Sequence, residues 1–357
     1  MKTLEQMALQ NHEQVNFFHD PDTNLKAIVA IHSTDLGPSL GGCRMMEYDS
    51  EENALFDVLR LSKGMTYKSA IAGLKLGGGK SVIIGNSKTD KTESLLEKFG
   101  EFVDSLCGRY ITAEDMGMAV KDMEIIKRKT DYVTGLSEDL GGSGDPSEVT
   151  SYGTYIGILS AVDFKLKKNN LNGLSIAIQG LGNVGMKLIE YITKHDIKLY
   201  ISDIDKDKID FCTSKYGAIA VSENDIYDLD VDIYSPCAIG ATINDNTIDR
   251  INCKIIAGAA NNVLKDYKKH GEMLFQKNIL YAPDYVINAG GVINIYNEIG
   301  DYNKDDVFRQ TEKIYDSLMN IFNESVNQNK PTNIISDYLA EKIINENKKN
   351  KTILQNG

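Results

Sequence analysis

The turn "QGLGNVG", Gln179 to Gly185, constrains the fold more than any other stretch of the chain. It follows the apolar run "LSIAI" and opens the helical pattern "VGMKLIEYI", so its three glycines lie between a strand and a helix. Gly180 permits a tight turn, Gly182 lets a pyrophosphate approach the backbone, and Gly185 allows the helix to pack closely on the strand. Asn183 and Val184 fall at the helix N-terminus, whose free N–H groups attract an anion. A second strand, "KLYISD", ends on Asp203, about 20 residues further on, where an acid binds the hydroxyls of an adenosine ribose. Asp203 repels a 2′-phosphate and no arginine follows it closely, so the expected dinucleotide is NAD rather than NADP.

Such a motif belongs to an alternation of strands and helices, and residues 136–330 supply one. "AIAV", "VDIYSPCA", "CKIIAGAA" and "ILYAPDYVINAGG" continue it with helical stretches between. The expectation there is a doubly wound parallel sheet of Rossmann type. Residues 1–135 read as a separate α/β domain, with strands "AIVAIHST" and "KSVIIG". Its helices are marked by Ser50 and Thr92 as N-caps and by apolar stripes such as Leu95, Leu96, Phe99 and Val103. The fold class is thus α/β with two domains and a cleft between them. The glycine-dense "TGLSEDLGGSGDPSEVTSYG" is a linker or cleft loop, and helical spacing resumes from about residue 305. The polar tail is expected to fray or lie on the surface, with a C-terminal helix over about 330–357 returning to the first domain.

Bulk properties narrow the partners. At 357 residues the chain suits two cores. A net charge of -12 repels polyanions, which argues against nucleic acid. The five cysteines contain no Cys-x-x-Cys pair and the five histidines no short repeat, so neither a disulfide framework nor a metal site is expected. No segment reads as a signal sequence or a membrane span, so the expected location is the cytoplasm.

The first domain carries "SLGGCRM", "GMTYKSAIAGLKLGGGK" and "ITAEDMGM", which place Lys68, Lys80 and Asp115 among glycines. "GLKLGGGK" followed by Ser81 imitates the end of a phosphate-binding P-loop, but Leu74 stands where that motif needs glycine. The phosphates have a better home at Gly180 to Gly185. Together with "DPSEVTSYG", "QGLGNVG" and "APDYVINAGGVIN", these motifs resemble, in order and spacing, the amino acid dehydrogenases that act on glutamate, leucine, phenylalanine and valine. The likeness is greatest to the leucine and valine branch and spans nearly the whole chain.

That resemblance implies NAD-dependent, reversible oxidative deamination of an amino acid to its 2-oxo acid, ammonia and NADH, by a homo-oligomer, often an octamer. It implies that Lys80 is the catalytic lysine, that Asp115 moves protons at the amino group, and that Lys68 binds the substrate carboxylate. Elementary chemistry agrees: the reaction needs a cation for the carboxylate and a base that activates water. A lysine serves as that base only if its pKa falls from ~10.4 to about 7 or 8. The resemblance further gives Thr150 and Asn288 as nicotinamide contacts and Asn262, adjacent to Asn261, as a substrate ligand. The motif departs from its relatives at Glu148, where they carry proline.

Relatives that use glutamate place a lysine directly before the Gly41–Gly42 pair, and here that residue is Leu40. A buried side-chain carboxylate without its cation is strongly disfavoured. Ala113, Val292 and Ile295 match pocket positions of the leucine branch and complete an apolar pocket with Leu40. The expected substrate is leucine, valine or isoleucine. Phenylalanine or glutamate is the alternative within the family, and a silent dinucleotide-binding regulator the alternative outside it.

Overall fold

In the computed structural model, which describes residues 3–356, the chain divides into two units. The first comprises residues 3–145, 294–303 and 340–356, and the second Pro146–Ile293 and Lys304–Leu339.

The first unit opens with α1 (Thr3–Gln10), β1 (Gln14–Asp20), β2 (Leu25–Ser33), β3 (Ser39–Met46) and α2 (Glu51–Ile71). It continues with β4 (Gly77–Ile84), α3 (Glu93–Asp104), β5 (Tyr110–Glu114) and α4 (Val120–Lys127). The strands form one mixed sheet in the order β1-β2-β4-β3-β5. Period-two alternation divides its side chains between two cores. Ile28, Ala30 and Val82 meet Ala54, Leu55, Val58 and Leu59 of α2 on one face. Val29, Ile31 and Ile83 meet Leu95, Leu96 and Phe99 of α3 and Met123 and Ile126 of α4 on the other. The expected caps form: Ser50 Oγ accepts from the Asn53 N–H and Thr92 Oγ1 from the Leu95 N–H, each at 3.2 Å.

The second unit holds α5 (Ser147–Leu166), β6 (Ser175–Gln179), α6 (Asn183–Ile192), β7 (Lys198–Ser202), α7 (Lys206–Tyr216) and β8 (Ile219–Ala220). There follow β9 (Asp230–Pro236), β10 (Asn252–Ile256), α8 (Tyr267–Gln276), β11 (Leu280–Tyr281) and α9 (Asp284–Ile287). Its sheet runs β11-β10-β9-β6-β7-β8 and every pair in it is parallel. This is the doubly wound order, and the reversal of winding lies between β6 and β9, the place where such sheets bind ligands. Of the three last helices, α10 (Gly290–Asn297) and α12 (Thr332–Asn356) each have residues in both units, and α11 (Lys304–Gln328) lies wholly in the second.

Two expectations need correction, and a third resolves between its alternatives. Residues 136–145 were read as the start of the nucleotide domain, but they belong to the first unit. Leu136 is buried in its core, and the N–H groups of Gly135 and Ser143 donate to the Glu298 carboxylate at 2.7 and 3.0 Å. Of the two alternatives for the tail, the described residues take the second: α12 runs on to Asn356, with residues 341–350 mostly exposed. Its residues from 340 return to the first unit, where Glu341 accepts a hydrogen bond from the Tyr67 hydroxyl of α2. Finally, the strand read from Lys80 begins three residues earlier: Gly77, Gly78 and Gly79 are the first residues of β4.

Candidate active site

The glycines of β4 are explained by what lies against them. A Cβ on Gly78 would stand 2.1 Å from the Thr66 nitrogen and 2.6 Å from the Ser62 carbonyl oxygen, so only glycine lets α2 rest on the strand here. A Cβ on Gly79 would meet the Tyr110 ring at 2.6 Å. The space that a ligand was expected to enter is filled by the protein's own helix and ring. The consequence is positional: α2, which carries Lys68 two residues after Thr66, is brought within backbone contact of the strand that carries Lys80.

Alternation along β4 puts Gly78, Lys80 and Val82 on the α2 face. Lys80 is almost wholly enclosed, 6% exposed, and its Nζ lies 2.8 Å from Asp115 Oδ2. Asp115 follows the end of β5, beside Gly42 of β3, where a Cβ would come within 2.9 Å of the Asp115 Cβ. The same Oδ2 accepts from Arg44 Nε at 3.0 Å, and Arg44 Nη1 reaches Asp57 Oδ2 on α2 at 2.9 Å. Burial raises the Asp115 pKa, but the charges of Lys80 and Arg44 outweigh it and hold the carboxyl below its ordinary value. Its neighbour Glu114 moves the other way, raised by burial and then by the charges of Asp145 and Glu298. The two adjacent carboxyls are thus shifted in opposite directions by their surroundings. Tyr110 completes the frame by donating to the Gly41 carbonyl at 2.6 Å.

The pocket candidates divide between the units. Leu40, Ala113 and Ile295 lie in the first and Val292 in the second. Leu40 has no exposed surface, and its strand pairs it with Gly78 and Ile111. Ala113 and Val292 are also buried, while Ile295 is half-buried.

The second unit holds every expected nucleotide contact. Gly180 has φ 104°, in the left-handed region, and a side chain there would strike Ala238. A Cβ on Gly185 would meet the Gly180 carbonyl at 2.1 Å, whereas one on Gly182 meets nothing within 4 Å. The turn is therefore closed against the sheet and open at Gly182 and Asn183, at the N-terminus of α6. Asp203 is fixed by the backbone N–H groups of Leu181 and Asp205, the latter at 2.8 Å. The donor set, free helix N–H groups beside an anchored carboxylate, fits the pyrophosphate and ribose of NAD.

Asn288 Nδ2 donates to Asn261 Oδ1 at 2.7 Å and to the Ala259 carbonyl at 3.0 Å. Asn262 has φ 52°, and the following Val263 N–H donates to the buried Asp284 at 3.1 Å. Thr150 is tied to the Pro146 carbonyl at 2.9 Å. Glu148, the departure from the expected motif, pairs with Lys304 at 2.8 Å and so joins the first turn of α5 to the start of α11. Sequence reasoning had no role for Arg44, although "GGCRM" contains it, nor for Asp57, Asp284 or Glu298. Among the described residues no group of three or more His, Cys, Asp or Glu is arranged to hold a metal, and no helix is long and apolar enough to cross a membrane.

A dinucleotide turn on a doubly wound sheet, with an enclosed lysine and carboxylate held elsewhere in the chain, defines a dehydrogenase. The Glu/Leu/Phe/Val dehydrogenase dimerisation domain matches residues 12–132, and the Glutamate/Leucine/Phenylalanine/Valine dehydrogenase domain matches 141–207 and 200–333. The chain belongs to this family; it is an amino acid dehydrogenase and its cofactor is NAD. It is 47% identical to a leucine dehydrogenase of Geobacillus stearothermophilus over 358 residues, covering 100% of this chain and 97% of that protein. It is 46% identical to an L-tryptophan dehydrogenase of Nostoc punctiforme over 352 residues, with 99% of each covered. A phenylalanine dehydrogenase of Caldalkalibacillus thermarum is 46% identical over 327 residues, or 90% of this chain and 88% of that one. The crystal structure of L-tryptophan dehydrogenase from Nostoc punctiforme superposes with a TM-score of 0.88 at 45% identity, covering 97% of this chain and 99% of that one.

Proposed function

We propose that the chain carries out reversible oxidative deamination of a branched-chain L-amino acid, leucine with valine and isoleucine, to the 2-oxo acid, ammonia and NADH. The observation that carries the substrate class is Leu40: before the Gly41–Gly42 pair stands an enclosed aliphatic side chain, where a glutamate side chain would need a cation. Ala113, Val292 and Ile295 extend that apolar character.

Lys68 holds the substrate carboxylate, and Lys80 takes a proton from the water that attacks the oxidised carbon. Asp115, kept ionised by its cations, accepts and returns protons at the substrate nitrogen. Gly180, Gly182, Asn183, Val184 and Gly185 hold the pyrophosphate, Asp203 the ribose, and Thr150 and Asn288 the nicotinamide end. NAD, when bound, supplies the hydride acceptor. Asn262 contacts the substrate. Assembly is as a homo-oligomer, an octamer, supported by the dimerisation domain matched over residues 12–132. The five free cysteines fit a reducing cytoplasm.

An aromatic substrate is the second reading, favoured by the tryptophan and phenylalanine dehydrogenases at 46% identity. A panel of L-amino acids with NAD, followed by NADH absorbance at alkaline pH, decides between them. The branched-chain reading expects kcat/KM highest for leucine, valine or isoleucine. A higher value for tryptophan, phenylalanine or glutamate overturns it.

A further inference from the structure

Two cations converge on one oxygen of Asp115, and they differ in kind. Lys80 Nζ, at 2.8 Å, carries an exchangeable proton, whereas the guanidinium of Arg44, with Nε at 3.0 Å, stays charged at every working pH. Arg44 is fixed from its far side as well. Its Nη1 donates to Asp57 Oδ2 at 2.9 Å, and the Tyr48 hydroxyl and Arg60 Nη2 each donate to Asp57 at 3.0 Å. Only 15% of the Arg44 side chain is exposed, so the contact with Asp115 is shielded from bulk water.

The proposed chemistry requires a state that a lysine and an aspartate alone hold poorly. When Lys80 is the neutral amine that activates water, Asp115 must still be the anion that receives a proton from the substrate nitrogen. A buried amine beside a half-buried carboxylate shares one proton with it, and neither then serves as base. A second, permanent cation on the same oxygen removes the conflict.

We propose that Arg44 is a positioning residue for the reaction, holding Asp115 ionised and aimed while Lys80 gives up its proton. Among the described residues, the groups that act on Asp115 or feel its charge include Lys80 on β4, Cys43 and Arg44 on β3, Tyr110 and Glu114 on β5, and Tyr48 beyond β3. Of these only Lys80 and Arg44 bring positive charge. The inference rests on the assignment of Lys80 and Asp115 to catalysis.

The test is the pH profile of kcat/KM for oxidation of leucine by the full-length Arg44→Met variant, divided at each pH by that of the unsubstituted enzyme. The ionisation of the substrate amine is common to both and cancels. Loss of the cation strengthens the hold of the Lys80–Asp115 pair on its proton, so the acid limb moves up by about 1 pH unit. The ratio is then lowest at the acid end and recovers as the pH rises. A purely structural role lowers the ratio equally at every pH, and that flat profile overturns the proposal. Arg44→Gln, which keeps an N–H donor without the charge, replaces the methionine variant if that one does not fold, with the same expected shift. Arg44→Lys, which keeps the charge but not the fork to Asp57, retains the original limb; a shift equal to that of Arg44→Met also overturns the proposal. Near-normal turnover by Lys80→Ala refutes the underlying assignment, whereas an inactive Lys80→Ala with a flat Arg44→Met ratio refutes the role of Arg44 alone.

Discussion

Replacing Gly78 by alanine adds one methyl group at the point where β4 and α2 touch. The new carbon would lie 2.1 Å from the Thr66 nitrogen, 2.2 Å from its Oγ1 and 2.6 Å from the Ser62 carbonyl. Two of these are backbone atoms, so a change of rotamer cannot relieve the contact. Ordinary contact distances of ~3.5 Å require α2 to withdraw by roughly 1 Å, a gap that forfeits a quarter to a half of the dispersion energy along its inner face. That face includes Ala54, Leu55, Val58 and Leu59, all buried. Overpacking of this kind costs about 1–3 kcal/mol, and the upper end is expected here. Lys68 moves with the helix, and a 1 Å misplacement of a binding group costs on the order of 10²-fold in kcat/KM. The matched control is Gly64→Ala in the same helix, where an added Cβ meets nothing within 4 Å and stabilises by about 0.5–1 kcal/mol. Urea midpoints at one protein concentration, kcat/KM for leucine and NADH binding by fluorescence measure the three effects. Expected are a lowered midpoint and kcat/KM for Gly78→Ala with NADH binding unchanged, against a raised midpoint for Gly64→Ala. A Gly78→Ala midpoint at or above that of the unsubstituted protein would refute the packing argument.

Lys80→Ala should lower turnover by about 10²–10⁴-fold while the Kd for NADH, set in the other unit, stays within experimental scatter; steady-state rates and fluorescence titration check this. Asp203→Asn removes the anion fixed by Leu181 and Asp205, and should weaken NAD about tenfold and narrow the preference over NADP, read as the ratio of kcat/KM for the two nucleotides. His12 and His32 form a buried edge-on pair, and burial lowers their pKa values from 6.5 to about 4 and about 3. Because the folded values lie below the unfolded one, the unfolded chain binds more protons between those limits. Stability is then complete above pH 6.5 and falls as the solution is acidified, by on the order of a few kcal/mol. The urea midpoint should decline between pH 6.5 and 5, above the carboxylate range, and His32→Gln should make the decline shallower; an equal slope in the variant counts against the pair.

The nucleotide half was legible because its information is local. Strand, turn, helix and acid lie within one continuous segment from Ser175 to Asp203, and Gly185 answers to Gly180 five residues before it. The Lys80–Asp115 pair was legible only through resemblance, since the partners lie on different strands. Arg44 stood in a recognised motif without a role because its role depends on Asp57, Tyr48 and Asp115, gathered from α2, a loop and the end of β5. Glu298 and Asp284 were invisible for the same reason: each holds the backbone of a segment distant in sequence. The polarity of the tail left fraying and a surface helix both open, and the contacts that hold the helix, at Ile335, Ala340 and Glu341, are not local.

The glycine run shows how a strong local rule is overruled. Glycine is unfavourable in strands, so the strand read from the sequence starts at Lys80 and leaves out the three glycines before it. The cost of ordering them is offset by what their missing side chains admit: α2 on one face at Gly78, the Tyr110 ring on the other at Gly79. Once β4 begins at Gly77, the rest follows from register. Lys80 pairs across with Ala30 and faces α2, as Gly78 and Val82 do, while Ser81 faces Tyr110 at 2.9 Å. A slip of one residue would exchange the faces, burying Lys80 against Tyr110 and away from Asp115. The position of the lysine is therefore set by strand pairing, not by a flexible loop. The glycines act one step earlier, by letting the helix that carries Lys68 rest against the strand that carries Lys80.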